Sequence, residues 1–226
     1  MKSIKKIVRW AINIPYREYV LKKISQKSEV TIFRMRLKTH PEVFHPLYFH
    51  TTKILIRAIS KLPMDGRQVL DMGTGSGAVG IFAAQAGGKV TACDINPAAV
   101  ALARENAELN RATMTVICSN LFEKLETVKF DYVFFNIPFY PKAAQTFFEA
   151  AFNAGKEYET IRRFASQLPS HLGGGGKALI IFSEDCAFKD IAEIFIAAGM
   201  KTERVDAVLR FAERFHILTL TTRELN

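Results

Sequence analysis

From Gln68 onward the chain alternates short apolar runs with helical patterns, and this alternation leaves few folds open. Strand-like runs fall at about 68–71, 89–94, 113–118, 130–136 and 177–182. Helical patterns fall between and after them, at about 77–86, 97–109, 143–153, 157–168 and 187–198. Strands separated by helices pair in parallel, because a helical crossover returns the chain to the same end of the sheet. The helices then cover both faces. The tail breaks the rhythm. Thr202 to Arg210 and Arg214 to Thr221 are both strand-like, with about three residues between them. So short a connection cannot make a crossover, and this pair is expected to be an antiparallel hairpin. The expected fold is α/β: a doubly wound, mostly parallel seven-stranded sheet with an antiparallel C-terminal hairpin.

The first part of the chain reads differently. Ile4, Ile7, Val8, Ala11 and Ile12 form a helical stripe over residues 3–13, which Pro15 ends. A second short helix is expected over Tyr16 to Ile24, and Val30 to Lys38 alternates as one strand with a wet, basic face. Pro41 to Pro46 is a loop, and Thr51 to Lys61 is a helix. We divide the chain into a basic N-terminal extension, 1–44, and a single domain, 45–226. The 226 residues suffice for one sizeable core. Residues 1–40 hold eleven Lys/Arg and two acids, so this segment carries the whole formal charge of +9. A localised basic segment steers polyanions such as RNA, DNA or an anionic membrane surface; it can equally be a solvated face. No apolar run approaches the ~20 residues of a membrane span, so no integral membrane association is expected. Cys93, Cys118 and Cys186 are scattered, which fits buried fillers in a reducing, cytoplasmic setting. His45 and His50 lie five apart, off the spacing of one helix face, and no metal site is expected.

The motif with the most chemistry is Val69-Leu70-Asp71-Met72-Gly73-Thr74-Gly75-Ser76-Gly77, which runs from a strand straight into a helix. Glycines at 73, 75 and 77 allow a tight turn and close approach of a ligand to backbone. The next strand ends in Asp94, whose carboxylate can accept both hydroxyls of an adenosine ribose. The pattern is D-x-G-x-G-x-G, whereas the dinucleotide fingerprint is G-x-G-x-x-G. A carboxylate at Asp71 suits a ligand carrying an ammonium and disfavours a pyrophosphate.

At these residues the chain resembles class I S-adenosylmethionine (SAM)-dependent methyltransferases, a Rossmann-like family, over about residues 45–221. The resemblance implies SAM as cofactor, with Asp71, Gly73, Gly75, Gly77 and Asp94 holding it. It also implies Ile95 on the adenine plane, and Asn120 with Leu121 at the adenine edge, where many relatives have Asp. Asn120 keeps an acceptor oxygen but loses the charge. Thr51 or Thr52 approaches the methionine end, or one of them caps the helix.

The fourth strand leads into Asn136-Ile137-Pro138-Phe139-Tyr140. This resembles the Asn-Pro-Pro-Tyr/Phe motif of amino-group methyltransferases, with Ile137 in place of the first proline. That group includes enzymes of nucleic-acid adenine and guanine amines and of release-factor glutamine. An amide or exocyclic amine has a delocalised lone pair. Two acceptors on its N–H groups aim that lone pair at the methyl. By resemblance these are the Asn136 side-chain oxygen, which also borders SAM, and the Ile137 carbonyl. Pro138 shapes the turn and Phe139 stacks on a planar acceptor. Tyr48, His45, His50 and Tyr140 are candidates for the substrate mouth. The leading expectation is methylation of a nucleobase exocyclic amine, with RNA reached through the basic segment. The alternatives are a protein glutamine or small-molecule acceptor, or a SAM-binding adaptor without catalysis.

Overall fold

Gln68–Met72 is an interior strand of the sheet, paired in parallel with Lys89–Asp94 on one side and Phe130–Asn136 on the other. The computed structural model describes residues 19–20, 22–125, 128–183, 188–210 and 213–222. The helix expected over residues 3–13, and Cys186, lie outside them; of the second short helix, the described residues between 19 and 24 are helical. The elements are β1 (Glu29–Ile32), β2 (Met35–Lys38), α1 (Thr51–Ile59), β3 (Gln68–Met72), α2 (Ala78–Gln85), β4 (Lys89–Asp94), α3 (Pro97–Leu109) and β5 (Met114–Cys118). Then follow β6 (Phe130–Asn136), α4 (Phe147–Ala150), α5 (Glu159–His171), β7 (Leu172–Ser183), α6 (Phe188–Ala197), β8 (Met200–Arg210) and β9 (Glu213–Thr222). The seven-stranded sheet has the order β5-β4-β3-β6-β7-β9-β8. Every pair from β5 to β7 is parallel, and β9 pairs antiparallel with both β7 and β8. The mostly parallel sheet with its antiparallel end is therefore the architecture of the molecule.

Period-two alternation places apolar side chains on both faces of the central strands. On β6, Val133 and Phe135 pack with Phe164 of α5 and Phe195 of α6, whereas Tyr132 and Phe134 pack with Leu55 and Ile59 of α1. On β7, Ile180 and Phe182 join the first layer, and Leu179 and Ile181 the second. Helix α3 starts where its sequence directs: Asn96 accepts the Ala98 N–H at 2.9 Å, and Pro97 sits at the first helical position.

Three expectations need correction. Val30 to Lys38 is a hairpin, with Ile32 paired to Met35 across a tight turn. Phe33 and Arg34 both take positive φ, +46° and +68°, a conformation normally signalled by Asn-Gly, so the turn carries no sequence signature. The helix expected over 143–153 is reduced to α4, Phe147–Ala150. The Phe139 and Tyr140 N–H groups both donate to the Phe152 carbonyl at 2.9 Å, which folds the segment back on itself. The strand expected over 177–182 begins earlier, at Leu172, and Gly173–Gly176 form an excursion within β7: Leu172 pairs with Phe130 and Lys177 with Tyr132, so the glycines bulge from the ladder.

Candidate active site

The strand order reverses between β3 and β6. Sheets of this type open a crevice beyond the strand ends at such a switch point. A cavity of about 150 Å³ lies there, bordered by the turn from Gly73 to Ser76. Met72 and Phe135 are direct partners across β3 and β6, so the turn after Met72 and the amide of Asn136 are forced side by side. Asp71, Asp94 and Ile95 also border this cavity, as do Asn120, Leu121 and Pro138.

The acids are held firmly. Asp71 is buried, and its Oδ2 accepts the Thr74 hydroxyl at 2.5 Å and the Gly80 N–H at 2.9 Å. Burial pushes its carboxyl up to about 7, against the pull of those two donors and with help from the charge of Asp94. Asp94 ties the turn to its own strand: Oδ2 accepts the Gly75 N–H and Oδ1 the Asn96 N–H, both at 2.9 Å. Burial raises this carboxyl too, opposed by the same N–H groups. Each Asp94 oxygen keeps a further lone pair for a ligand hydroxyl.

A second cavity, of about 230 Å³, adjoins the first. Its walls are rings: Phe44, Phe49, Phe139, Tyr140, Phe152 and Phe215, with Tyr48 and His50. The Phe44, Phe49 and Phe152 rings contact one another at centroid distances of 4.5–5.3 Å. No Asp, Glu, Lys or Arg is among the described residues that border it. Asn136 borders both cavities.

The sequence profile of the methyltransferase small domain matches residues 34–206 of this chain. The chain belongs to the small-domain methyltransferase family. A putative protein N5-glutamine methyltransferase of Methanocaldococcus jannaschii is 34% identical over 180 residues, covering 77% of this chain and 89% of that protein. Among solved structures, the T. thermophilus 16S rRNA N2 G1207 methyltransferase, in complex with AdoMet and guanosine, superposes with a TM-score of 0.65 at 21% identity. That match covers 88% of this chain and 50% of the other. A Pyrococcus furiosus methyltransferase gives 0.64 at 21% identity, over 93% of this chain and 99% of the other. At such identities the two structures speak for the fold.

The residues of this small-domain methyltransferase fit its cofactor, SAM. The turn offers bare backbone, Asp71 offers a carboxylate suited to an ammonium, and Asp94 offers oxygens to a ribose. Ile95 is 42% exposed on the cavity wall, which excludes a plain core role.

Other expected site residues are placed differently. Gly77 does not border the cavity; at φ +83° it lies against Ala103, and a Cβ there would meet the Ala103 backbone at 3.2 Å. Neither threonine caps α1, whose N-cap position is His50, with no side-chain capping bond to the helix. Thr52 borders the first cavity and Thr51 the second. Ile137 and Phe139 border only the second. The Asn120 side-chain oxygen accepts a hydrogen bond from Arg163 of α5, which also lies 3.6 Å from Glu123. The oxygen expected to face an adenine amine is thus already engaged. His45 is buried beneath Tyr48, with ring centroids 4.6 Å apart, and lies outside the mouth. Burial holds its imidazole down to about 4. Among the described residues no group of three His, Cys, Asp or Glu is arranged to hold a metal, and no helix is long and apolar enough to cross a membrane.

Sequence reasoning missed Phe147 and Thr160 at the first cavity and Phe49, Phe152 and Phe215 at the second. None stands in a motif. Phe215 reaches the site from β9, through the antiparallel end of the sheet.

Proposed function

We propose that this chain methylates a neutral, planar amino nitrogen, and that the acceptor is the exocyclic amine of a nucleobase in RNA. The observation that carries this reading is Asn136, one side chain bordering both the cofactor cavity and a ring-lined cavity without charges. When bound, SAM would supply an electrophilic methyl group: the acceptor nitrogen's lone pair would form the new N–C bond, the thioether sulfur would leave with the C–S electron pair, and the nitrogen would then shed a proton. Asn136 accepts one amine N–H through its side-chain oxygen, and the Ile137 carbonyl accepts the other. That grip aims the lone pair from the second cavity toward the first, with Asn136 on the border of both. No strong base is required, and Asn136 is none. Phe139 and the facing rings exclude water and stack on a flat base better than they fill against a flexible chain. The basic residues of 1–40 supply phosphate contacts.

A second reading is supported by sequence. The M. jannaschii relative is described as acting on glutamine N5, whose side-chain amide has the same delocalised nitrogen. One experiment separates the two. Cell extract lacking the enzyme is incubated with methyl-labelled SAM and either wild type or Asn136→Ala. Label in nuclease-sensitive material, absent with the variant, supports the base. Label in protease-sensitive material overturns it in favour of glutamine. Reversing the charge of Lys5, Lys6, Arg34 and Arg36 should weaken RNA binding while leaving SAM affinity within about twofold.

A further inference from the structure

We infer that Thr51 orients the acceptor, by donating its hydroxyl to the ring nitrogen or carbonyl next to the amine that Asn136 grips. The inference rests on reading the second cavity as the acceptor site. Thr51 opens helix α1 and is 4% exposed. Its Oγ1 is buried with no hydrogen-bond partner among the described residues. The usual employment of a threonine at a helix start is capping, but the cap position belongs to His50. Thr51 therefore carries a dehydrated, unpaired hydroxyl on the wall of the cavity that Asn136 also borders. A buried hydroxyl left unpaired is unfavourable, and a bound molecule that supplies its partner removes that penalty.

The neighbouring residue sharpens the point. Consecutive helix positions diverge by about 100° around the axis, and here Thr52 borders the cofactor cavity while Thr51 borders the ring-lined one. One helix start thus serves both compartments. The first N–H groups of α1 lack intrahelical partners, which favours an electron-rich atom nearby. The other side chains on the cavity wall are mostly rings that grip a flat molecule by its faces and leave its rotation in the plane unset. Asn136 fixes one edge atom, and Thr51 fixes the second. An amine whose carbon also bears an acceptor atom satisfies both, as in adenine, cytosine and guanine.

The test uses SAM-saturated full-length protein, with adenosine, cytidine, guanosine and N-acetylglutamine amide as probes, and ligand-observed NMR titration as readout. Thr51→Val removes only the hydroxyl, and Thr51→Ser keeps it. The expected result is a nucleoside that binds wild type and Thr51→Ser alike and Thr51→Val about tenfold more weakly, with unchanged SAM affinity. The melting temperature of Thr51→Val should be equal or higher, because an unpaired hydroxyl is replaced by a methyl. Equal nucleoside binding by all three proteins overturns the role of Thr51. A lowered melting temperature with unchanged probe binding also overturns it, since that is a structural residue's signature. Binding of the glutamine amide alone overturns the base reading, and Thr51 then stands or falls on whether Thr51→Val weakens that amide. No binding by any probe overturns the assignment of Thr51 to this cavity's ligand.

Discussion

The side-chain amide of Asn106 pairs with the backbone of Lys38 as a neighbouring strand would: Oδ1 accepts the Lys38 N–H at 2.7 Å and Nδ2 donates to the Lys38 carbonyl at 3.1 Å. One helical turn later, Asn110 repeats the arrangement on Arg36, at 3.0 and 2.6 Å. Residues four apart, on α3 and at its C-cap, thus meet residues two apart on β2, matching the helical and extended periods. Asn106 Nδ2 also donates to the Ser76 carbonyl at 2.9 Å, in the turn that borders the cofactor cavity. The hairpin, helix α3 and the glycine turn are clamped by one fully buried amide.

Asn106→Leu should therefore be destabilising well beyond its size change. It leaves the Lys38 N–H and the Lys38 and Ser76 carbonyls without this partner, and a buried polar group left unpaired costs about 1–3 kcal/mol. The expected loss is about 2–4 kcal/mol, or a fall of about 5–12 °C in melting temperature. Asn110→Leu, at an exposed rim, should lose less than half as much. Thermal denaturation of both variants measures the ratio, and equal losses would sink the clamp.

Which of these features the sequence disclosed follows from how far each signal reaches. Strands β3 to β9 were legible because buried parallel strands are apolar runs separated by helices, and the β8–β9 hairpin because its connection is too short for a crossover. The β1–β2 turn was not, since Phe33 and Arg34 take left-handed backbone without Gly or Asn. The α4 segment was misjudged because its limits are set by hydrogen bonds to Phe152, not by its own pattern. At the site, Asp71, Asp94 and Asn136 were legible as strand-end residues beside turn chemistry. The ring-lined cavity was not: Phe44, Phe152 and Phe215 converge from three distant segments, and single aromatic residues in a sequence read as core. Likewise nothing local announces that Arg163 meets Asn120.

Asp71 gives a pH signature. Its carboxyl is raised from an ordinary 3.8 to about 7 in the folded chain. The folded state then binds more protons than the unfolded one between about pH 4 and 7. Stability from this group falls as pH rises through that window and levels off above it. Asp71→Asn keeps an acceptor for Thr74 and Gly80 but has no proton to lose. The stability difference between variant and wild type should grow from pH 4 to 7 in favour of the variant. SAM affinity should do the reverse: wild type gains from pH 6 to 8 as the carboxylate ionises, whereas Asp71→Asn binds about 10- to 100-fold more weakly at pH 8. Chemical denaturation and calorimetry across pH check both halves.

Asn120 predicts a gain of function. Its oxygen is engaged by Arg163, so the group left for an adenine edge is the Nδ2 donor, which does not match an amine. Asn120→Asp would answer Arg163 with one oxygen and keep the other for the adenine amine. SAM should bind about 3- to 10-fold more tightly, with little change in acceptor KM. Calorimetry with the variant showing equal or weaker SAM binding would mean that Asn120 is not at the adenine edge.

Two glycines of the same turn should fail in different ways when changed to alanine. At Gly77, φ is +83° and the added Cβ would lie 3.2 Å from Ala103 Cα, with α3 backbone that cannot yield. Gly77→Ala should cost about 1–3 kcal/mol of stability. At Gly73, φ is +61° and the Cβ would come within 2.9 Å of the Phe135 ring edge. That ring borders the cofactor cavity and can tilt, so the strain is relieved into the site. Gly73→Ala should show the smaller fall in melting temperature and the larger loss of SAM affinity, about tenfold or more. Paired melting and calorimetric titration decide it: parallel losses in both variants would mean that the turn acts as one rigid unit, with no division between a packing glycine and a ligand-facing one.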